Sequence, residues 1–193
     1  MLPKSAYLAL LIVAPLAAAG LTAAALSRDQ APQDPAAMMA KPTAEHEVLK
    51  LDEGTWKAQT KFWMAPNQEP EAGTGVETNT MSLNGLWLVS DYKDDSGMFA
   101  GHGVAGYDTQ KKKYVGAWVD TMTTHLGLSE GTWDKGKKTM TWTGEGTDMA
   151  TGKPAKFRTV VTYPDAKTRH AEAFMTGADG KEWKNLEIHY TRS

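Results

Sequence analysis

Between Gly54 and Arg192 the chain is a succession of short segments in which apolar and polar residues alternate, and all seven Trp lie within it. Gly, Asn-Gly or Lys-Gly interrupts the pattern roughly every dozen residues. Alternation with a period of two sets one face of each segment against a core and the other against water, which is the behaviour of a β-strand. Thr55–Trp63 is the clearest case: Trp56, Ala58, Thr60 and Phe62 alternate with Lys57, Gln59 and Lys61. Further strands are expected over Gly75–Leu83, Leu86–Tyr92, Phe99–Tyr107, Lys113–Thr121, Leu126–Trp133, Lys138–Thr147, Lys156–Tyr163, Arg169–Thr176 and Lys181–Arg192.

The connections dictate topology. Asn84-Gly85 between two alternating runs is a strong hairpin signal. The breaks after Tyr107, Trp133, Tyr163 and Thr176 are short and polar, and a tight turn joins only antiparallel neighbours. Asp108 opens a Lys-rich turn, where an Asx side chain closes onto the backbone. A sheet of about ten meandering strands twists, curls and hides its edges by closing. The expected architecture is therefore all-β: a single antiparallel up-and-down β-barrel of about ten strands, lipocalin-like in form. Thr43 as N-cap, His46, Val48, Leu49 and Leu51 predict a short helix over residues 44–51, ended by Gly54.

Upstream, Met1–Lys4 is basic and Ala6–Leu26 is an uncharged Ala- and Leu-rich run, the pattern of an export signal over residues 1–26 with cleavage after Ala19 or Ala25. The alternative is an uncleaved anchor, which would make residues 6–26 the chain's contact with a membrane. Residues 27–43 are rich in Ala, Pro, Gln and Asp and read as a disordered tether, leaving residues 44–193 for the barrel. Both readings place the barrel outside the cytoplasm, periplasmic or secreted, or membrane-anchored. The absence of Cys leaves stability to packing and removes thiolate chemistry. A formal charge of −2 from 21 basic and 23 acidic residues argues against nucleic acid as a partner.

Certain residues together resemble a known family: Gly54-x-Trp56, Asn84-Gly85-x-Trp87, Phe99-x-Gly101, Gly106-Tyr107-Asp108, Trp118-Val119-Asp120, Gly131 with Asp134, and the closing Tyr190-Thr191-Arg192. In order and spacing the chain resembles the domain of unknown function 1579 family over residues 44–192. These are exported bacterial proteins similar to calycins. The resemblance implies a barrel with an internal cavity and implies no reaction.

Taking the more apolar face of each strand as inward, Trp56, Leu88, Trp118, Leu128, Met140, Trp142, Phe157, Phe174, Leu186 and Ile188 line the interior. Asp120, Glu130, His170, Glu172 and Tyr190 share those faces. The candidate ligand-binding set is Trp56, Trp118, Asp120, Glu130, Trp142, His170, Glu172, Phe174 and Tyr190, since buried ionisable groups need partners and cluster at sites. No catalytic residue is assigned: Gly-x-Ser-x-Gly and Ser-x-x-Lys are absent. Gly101-x-Gly103-x-x-Gly106 has dinucleotide spacing but sits in a strand, where small residues admit a close neighbour. No cofactor and no metal site is predicted. His102 and His125, each near a Met, are weak metal candidates and keep copper or haem open.

Three functions compete. The leading one is an exported module holding a small, partly apolar ligand in an aromatic cavity. A second is a solid barrel that meets an envelope partner, favoured if Trp63, Trp133 and Trp183 face outward. The third is an isomerase or lyase using Asp120, Glu130 or Glu172 as acid or base, which needs two of them in one pocket.

Overall fold

The computed structural model describes residues 35–148, 151–177 and 180–193. The signal or anchor expected over residues 1–26 lies outside them, as does the tether up to residue 34. The chain divides into a unit ending at Met39, of which Pro35–Met38 forms one 3-10 turn, and a second unit, Ala40–Ser193.

The second unit contains ten strands: β1 (Gly54–Phe62), β2 (Glu71–Ser82), β3 (Trp87–Asp94), β4 (Ala100–Asp108), β5 (Lys113–Asp120), β6 (Gly127–Asp134), β7 (Thr139–Asp148), β8 (Lys153–Thr162), β9 (Thr168–Thr176) and β10 (Glu182–Arg192). Each pairs antiparallel with its successor, and β10 returns to pair with β1 from Trp56↔Arg192 to Phe62↔Leu186, so the barrel is closed. Most strand limits fall within one residue of those read from alternation. The chief exception is β2, which starts at Glu71. Asp108 closes its turn as expected, accepting the Gln110 and Lys111 amides at 2.8 and 2.9 Å. Asp134 and Asp165 do the same in their turns.

Among the described residues one α-helix, α1 (His46–Leu49), lies against β3 and β4 at the end where β1 begins. It is shorter than the residue pattern suggests. Thr43 engages side chains instead of capping it, its hydroxyl donating to Glu45 at 2.5 Å. Gly54 belongs to β1, and its φ of +113° sits under the Arg192 guanidinium. His46 and Leu49 are buried, and Leu49 packs with Leu88, Tyr114, Met140 and Tyr163. A second cluster of Trp56, Ala58, Tyr92, Ala171, Ile188 and Tyr190 fills the β1–β9–β10 side.

Aromatic rings occupy the interior by lying on glycine. Trp118 stands opposite Gly103, Trp142 opposite Gly131 and Phe157 opposite Gly144. A Cβ on Gly131 would stand 2.7 Å from the Trp142 ring, and one on Gly103 would stand 2.8 Å from Trp118. Cross-strand pairs of this kind let a large ring cover bare backbone.

This device overturns several face assignments. On β6 the inward residues are Gly127, Ser129, Gly131 and Trp133, fixed by Tyr114↔Gly131 and Gly116↔Ser129, so Leu128 and Glu130 face out. On β9 they are Arg169, Ala171, Ala173 and Met175, which turns His170, Glu172 and Phe174 outward. Trp133 and Trp183 point inward: Trp133 packs edge-on to Tyr163, and a register shift between Lys184 and Leu186 moves Trp183 to the inner side opposite Met175. Trp63 lies outside, beneath the Lys184 ammonium at 5.3 Å from its ring centroid.

Gly131→Ala should destabilise the barrel by about 1–3 kcal/mol, because Trp142 has to leave its rotamer or the strands have to separate. Gly127→Ala, whose Cβ meets nothing nearer than 3.5 Å, should cost no more than about 0.5 kcal/mol. Urea denaturation of the two variants checks this; equal losses would contradict it.

Candidate functional site: a charged floor beneath the aromatic barrel

Interior polarity concentrates at the α1 end. Arg169, opposite Tyr190 at the start of β9, projects inward with 6 % of its side chain exposed. Its guanidinium pairs with Asp52, which precedes β1, and with Glu77 of β2 at 2.5 Å. Glu77 also accepts the Tyr190 hydroxyl at 2.7 Å and the Asn79 amide at 2.8 Å. Asp52 accepts the Tyr163 hydroxyl at 2.8 Å, and its backbone carbonyl accepts the Trp56 indole N–H at 2.7 Å. The guanidinium carbon of Arg169 lies 3.9 Å from the Tyr190 ring centroid and 4.6 Å from that of Trp56.

Arg192 clasps the same Trp. Its guanidinium carbon is 4.2 Å from the Trp56 centroid, and it donates to the carbonyls of Ala166 at 2.9 Å, Leu51 at 3.0 Å and Glu53. The two arginines thus tie the segment entering β1 to β9, β10 and the β8–β9 turn.

The floor holds one cation and two carboxylates out of water. Burial pushes the Asp52 carboxyl above its ordinary value, with Arg169 pulling the other way and Glu77 adding to the rise. Burial opposes the charge on Arg169, but Asp52 and Glu77 outweigh it and hold the guanidinium protonated. Burial raises Tyr92 and Tyr114 to about 12 and lifts Tyr163 and Tyr190 well above the ordinary tyrosine value, the latter two also facing Asp52 and Glu77 respectively. Arg169, Asp52, Glu77, Tyr163, Tyr190 and Asn79 are joined by hydrogen bonds, with Arg169 Nε and Asn79 Oδ1 left without a partner among the described residues. Their arrangement makes a lock.

Of the candidate residues from sequence, Trp56 and Tyr190 belong to this floor. Trp118 and Trp142 sit on the inner wall, Trp142 edge-on to Tyr114. Asp120, toward the opposite end, accepts the Trp118 indole N–H at 3.2 Å and the amides of Met122 and Thr123 at 2.9 and 3.1 Å, so it closes a turn. The rest face solvent. Glu130 pairs with Lys113 at 2.5 Å and Lys111 at 3.6 Å, and the Lys113 hydrogen bond holds it below the usual carboxylate range. Glu172 pairs with Lys184 at 3.2 Å, Phe174 lies under the Arg158 guanidinium at 4.4 Å, and His170 stacks edge-on against His189.

Asp120, Glu130 and Glu172 therefore do not share a pocket, as an acid/base pair would require. His102 bonds Asp91 on the outer face at 2.9 Å, and His125 reaches the Glu145 carbonyl at 3.2 Å; neither points into the barrel. Among the described residues, no group of three or more His, Asp or Glu side chains is placed to hold a metal. Asp52, Glu77, Asn79 and Arg169 escaped the sequence reading. The available signal was period two: Glu77 and Asn79 alternate with exposed Thr78 and Thr80, and Arg169 alternates with His170.

The open spaces among the described residues include a crevice and a groove. A crevice of about 10 Å³ lies between Phe62, Trp63, Met175 and Trp183. A groove of about 690 Å³ crosses the outer wall from β5 to β9 past Val115, Leu128, Thr143, Glu145, Lys156 and Arg158.

Fold and floor define a class: a closed ten-stranded antiparallel barrel, shut at one end by a short helix over a buried Arg–carboxylate–aromatic cluster. Within it, the chain belongs to the family described as protein of unknown function (DUF1579), whose model matches residues 41–192. No curated protein matches the sequence. Among solved structures, Rv2717c from M. tuberculosis shares the fold at a TM-score of 0.60, with 10% identity over 78% of this chain and 98% of that one. A redesigned beta barrel aligns at a TM-score of 0.35, with 11% identity over 76% of this chain and 95% of that one.

Arg169→Leu should cost about 3–5 kcal/mol, because it strands Asp52 and Glu77. Arg158→Leu, which breaks a pair exposed by 34 % and 43 %, should cost no more than about 1 kcal/mol. Denaturant titration of both variants checks the contrast.

The tyrosines set a second expectation. A folded-state pKa raised above the unfolded value contributes stability that is complete below about pH 10 and declines as pH climbs toward the folded values. Tyrosinate absorbance from Tyr92, Tyr114, Tyr163 and Tyr190 should thus appear together with unfolding above pH 10. A full tyrosinate signal near pH 10 from a still-folded chain would contradict it.

Proposed function

We propose that this protein is an exported, non-catalytic binding module for a small, partly apolar molecule, and that the molecule lies in the outer groove. The observation that carries the reading is the groove itself. Its volume, about 690 Å³, suits a ligand, and its residue Leu128 is 61 % exposed. Lys113–Glu130 flanks it toward one end and Arg158–Glu182 toward the other, so an apolar body with a charged or hydrogen-bonding end finds partners for both parts.

An aromatic cavity inside the barrel is the other place for such a ligand. The crevice at its mouth has room for about one water, and Trp118, Trp142 and Phe157 lie on the glycines that would otherwise open the wall. Entry there requires those rings to move. The outer groove requires no movement.

The test uses 8-anilinonaphthalene-1-sulfonate, an aromatic body with one anionic group matched to Lys156 and Arg158. The full chain should bind the dye saturably, and Leu128→Glu should weaken binding at least tenfold, about 1.4 kcal/mol, while the barrel stays folded. Binding unchanged in Leu128→Glu but lost in Trp183→Ala would move the site inside. Failure to bind at all would overturn the reading.

A further inference from the structure

On the outer wall, away from both floor and groove, β9 and β10 bring two imidazoles together that are far apart in the chain. His170 and His189 are direct cross-strand partners, their ring centroids 4.4 Å apart and their planes at 69°. Both residues are exposed. Beside them Glu187 accepts from His189 Nε2 at 3.2 Å, and is itself held by Lys184 at 2.5 Å and Lys61 at 3.5 Å. Those two ammonium partners meet it as a carboxylate. A carboxylate only accepts, which places a proton on His189 Nε2 and leaves Nδ1 as the nitrogen able to bind a metal.

We infer that His170 and His189 form a two-imidazole site for a divalent transition metal of tetragonal preference, of which copper(II) binds such nitrogen ligands most strongly. The geometry supports this choice. With a metal–nitrogen bond of about 2.05 Å, the ring centroid sits about 3.2 Å from the metal. Two such rings at a right angle then have centroids ~4.5 Å apart, and at the tetrahedral angle ~5.2 Å apart. The observed 4.4 Å is short enough for both rings to reach a single ion. Solvent completes the coordination sphere, because the pair stands on the open face of a sheet. Glu187 acts as a positioning residue through its hydrogen bond to His189, and as an uncoordinated carboxylate it offsets the charge of Lys61 and Lys184 near the metal. Because the two strands are paired on both sides of this point, the rings are held on fixed backbone, and the second imidazole closes onto a metal already bound by the first.

The test is copper(II) titration of the full chain in a non-coordinating buffer, followed by tryptophan emission and electron paramagnetic resonance. One ion per chain should bind with nitrogen couplings from two imidazoles. His170→Gln and His189→Gln should each lower affinity on the order of 100-fold, as expected when a chelate becomes a single ligand. His102→Gln, which alters an outer-face histidine of β4, should leave it unchanged. Both altered positions are solvent-exposed, and an unshifted thermal midpoint without metal confirms the fold. Wild-type affinity in the His170→Gln/His189→Gln double variant, or a spectrum with one imidazole or none, would overturn the proposal.

Discussion

A guanidinium taken out of water has to be met by carboxylates, and Arg169 obliges the rest of the barrel to supply them. Asp52 arrives from the segment before β1, Glu77 from β2, and the supporting hydroxyls of Tyr190 and Tyr163 from β10 and the end of β8. Four separate stretches of chain converge on one charge. Removing Arg169 leaves two buried carboxylates without their cation, which costs far more than an ordinary side-chain loss. The cluster therefore fixes the β1–β10 seam and the position of α1 in one arrangement. Trp56, held between contacts from Arg169 and Arg192 and anchored by its indole N–H, gives that arrangement its apolar centre.

Above the floor a different device consumes the space. Trp118, Trp142 and Phe157 each face a glycine on the neighbouring strand, so the rings lie along the wall. Trp87 repeats the arrangement at Gly106 on the outer face. An aromatic that lies flat on backbone buries nearly its whole face without reaching across the axis. The barrel is thereby lined on the β4–β8 side by alternating glycine and aromatic positions. The inner face of a strand in such a wall can be less apolar, residue for residue, than its outer face.

That inversion explains what the residue pattern reveals and what it hides. Strand number, order and closure follow from alternation and turn chemistry, which depend on backbone requirements local to each segment. Which face is inward depends on neighbours, and there hydropathy misleads at two strands. On β6, Leu128 outweighs Gly127, Ser129 and Gly131, and on β9, Phe174 outweighs Ala171 and Ala173, yet the small residues are the inner ones because a ring from the adjacent strand covers them or because Arg169 sets the parity. On β10 the parity itself changes at the irregularity between Lys184 and Leu186, so Trp183 and Leu186 both serve the interior. The floor was hidden for a related reason. Nothing local marks Glu77, Asn79 and Arg169 as buried, because a polar residue on a strand is ordinarily wet, and only the Arg169–Glu77 ion pair, linking positions far apart in sequence, makes their burial tolerable.

The same logic locates where the molecule is free to act. The charges of the floor are paired with one another, and the rings of the wall lie on backbone, so both serve to hold the shape. The outer faces of β5 to β10 carry no such obligation. There, cross-strand neighbours such as Arg158 with Phe174 and His170 with His189 project from positions that a closed ladder holds fixed. Side chains fixed on paired strands lose little further freedom when they bind, and that saving is the largest contribution a rigid scaffold makes to recognition. A barrel locked by one buried arginine is thus suited to present chemistry on its outside.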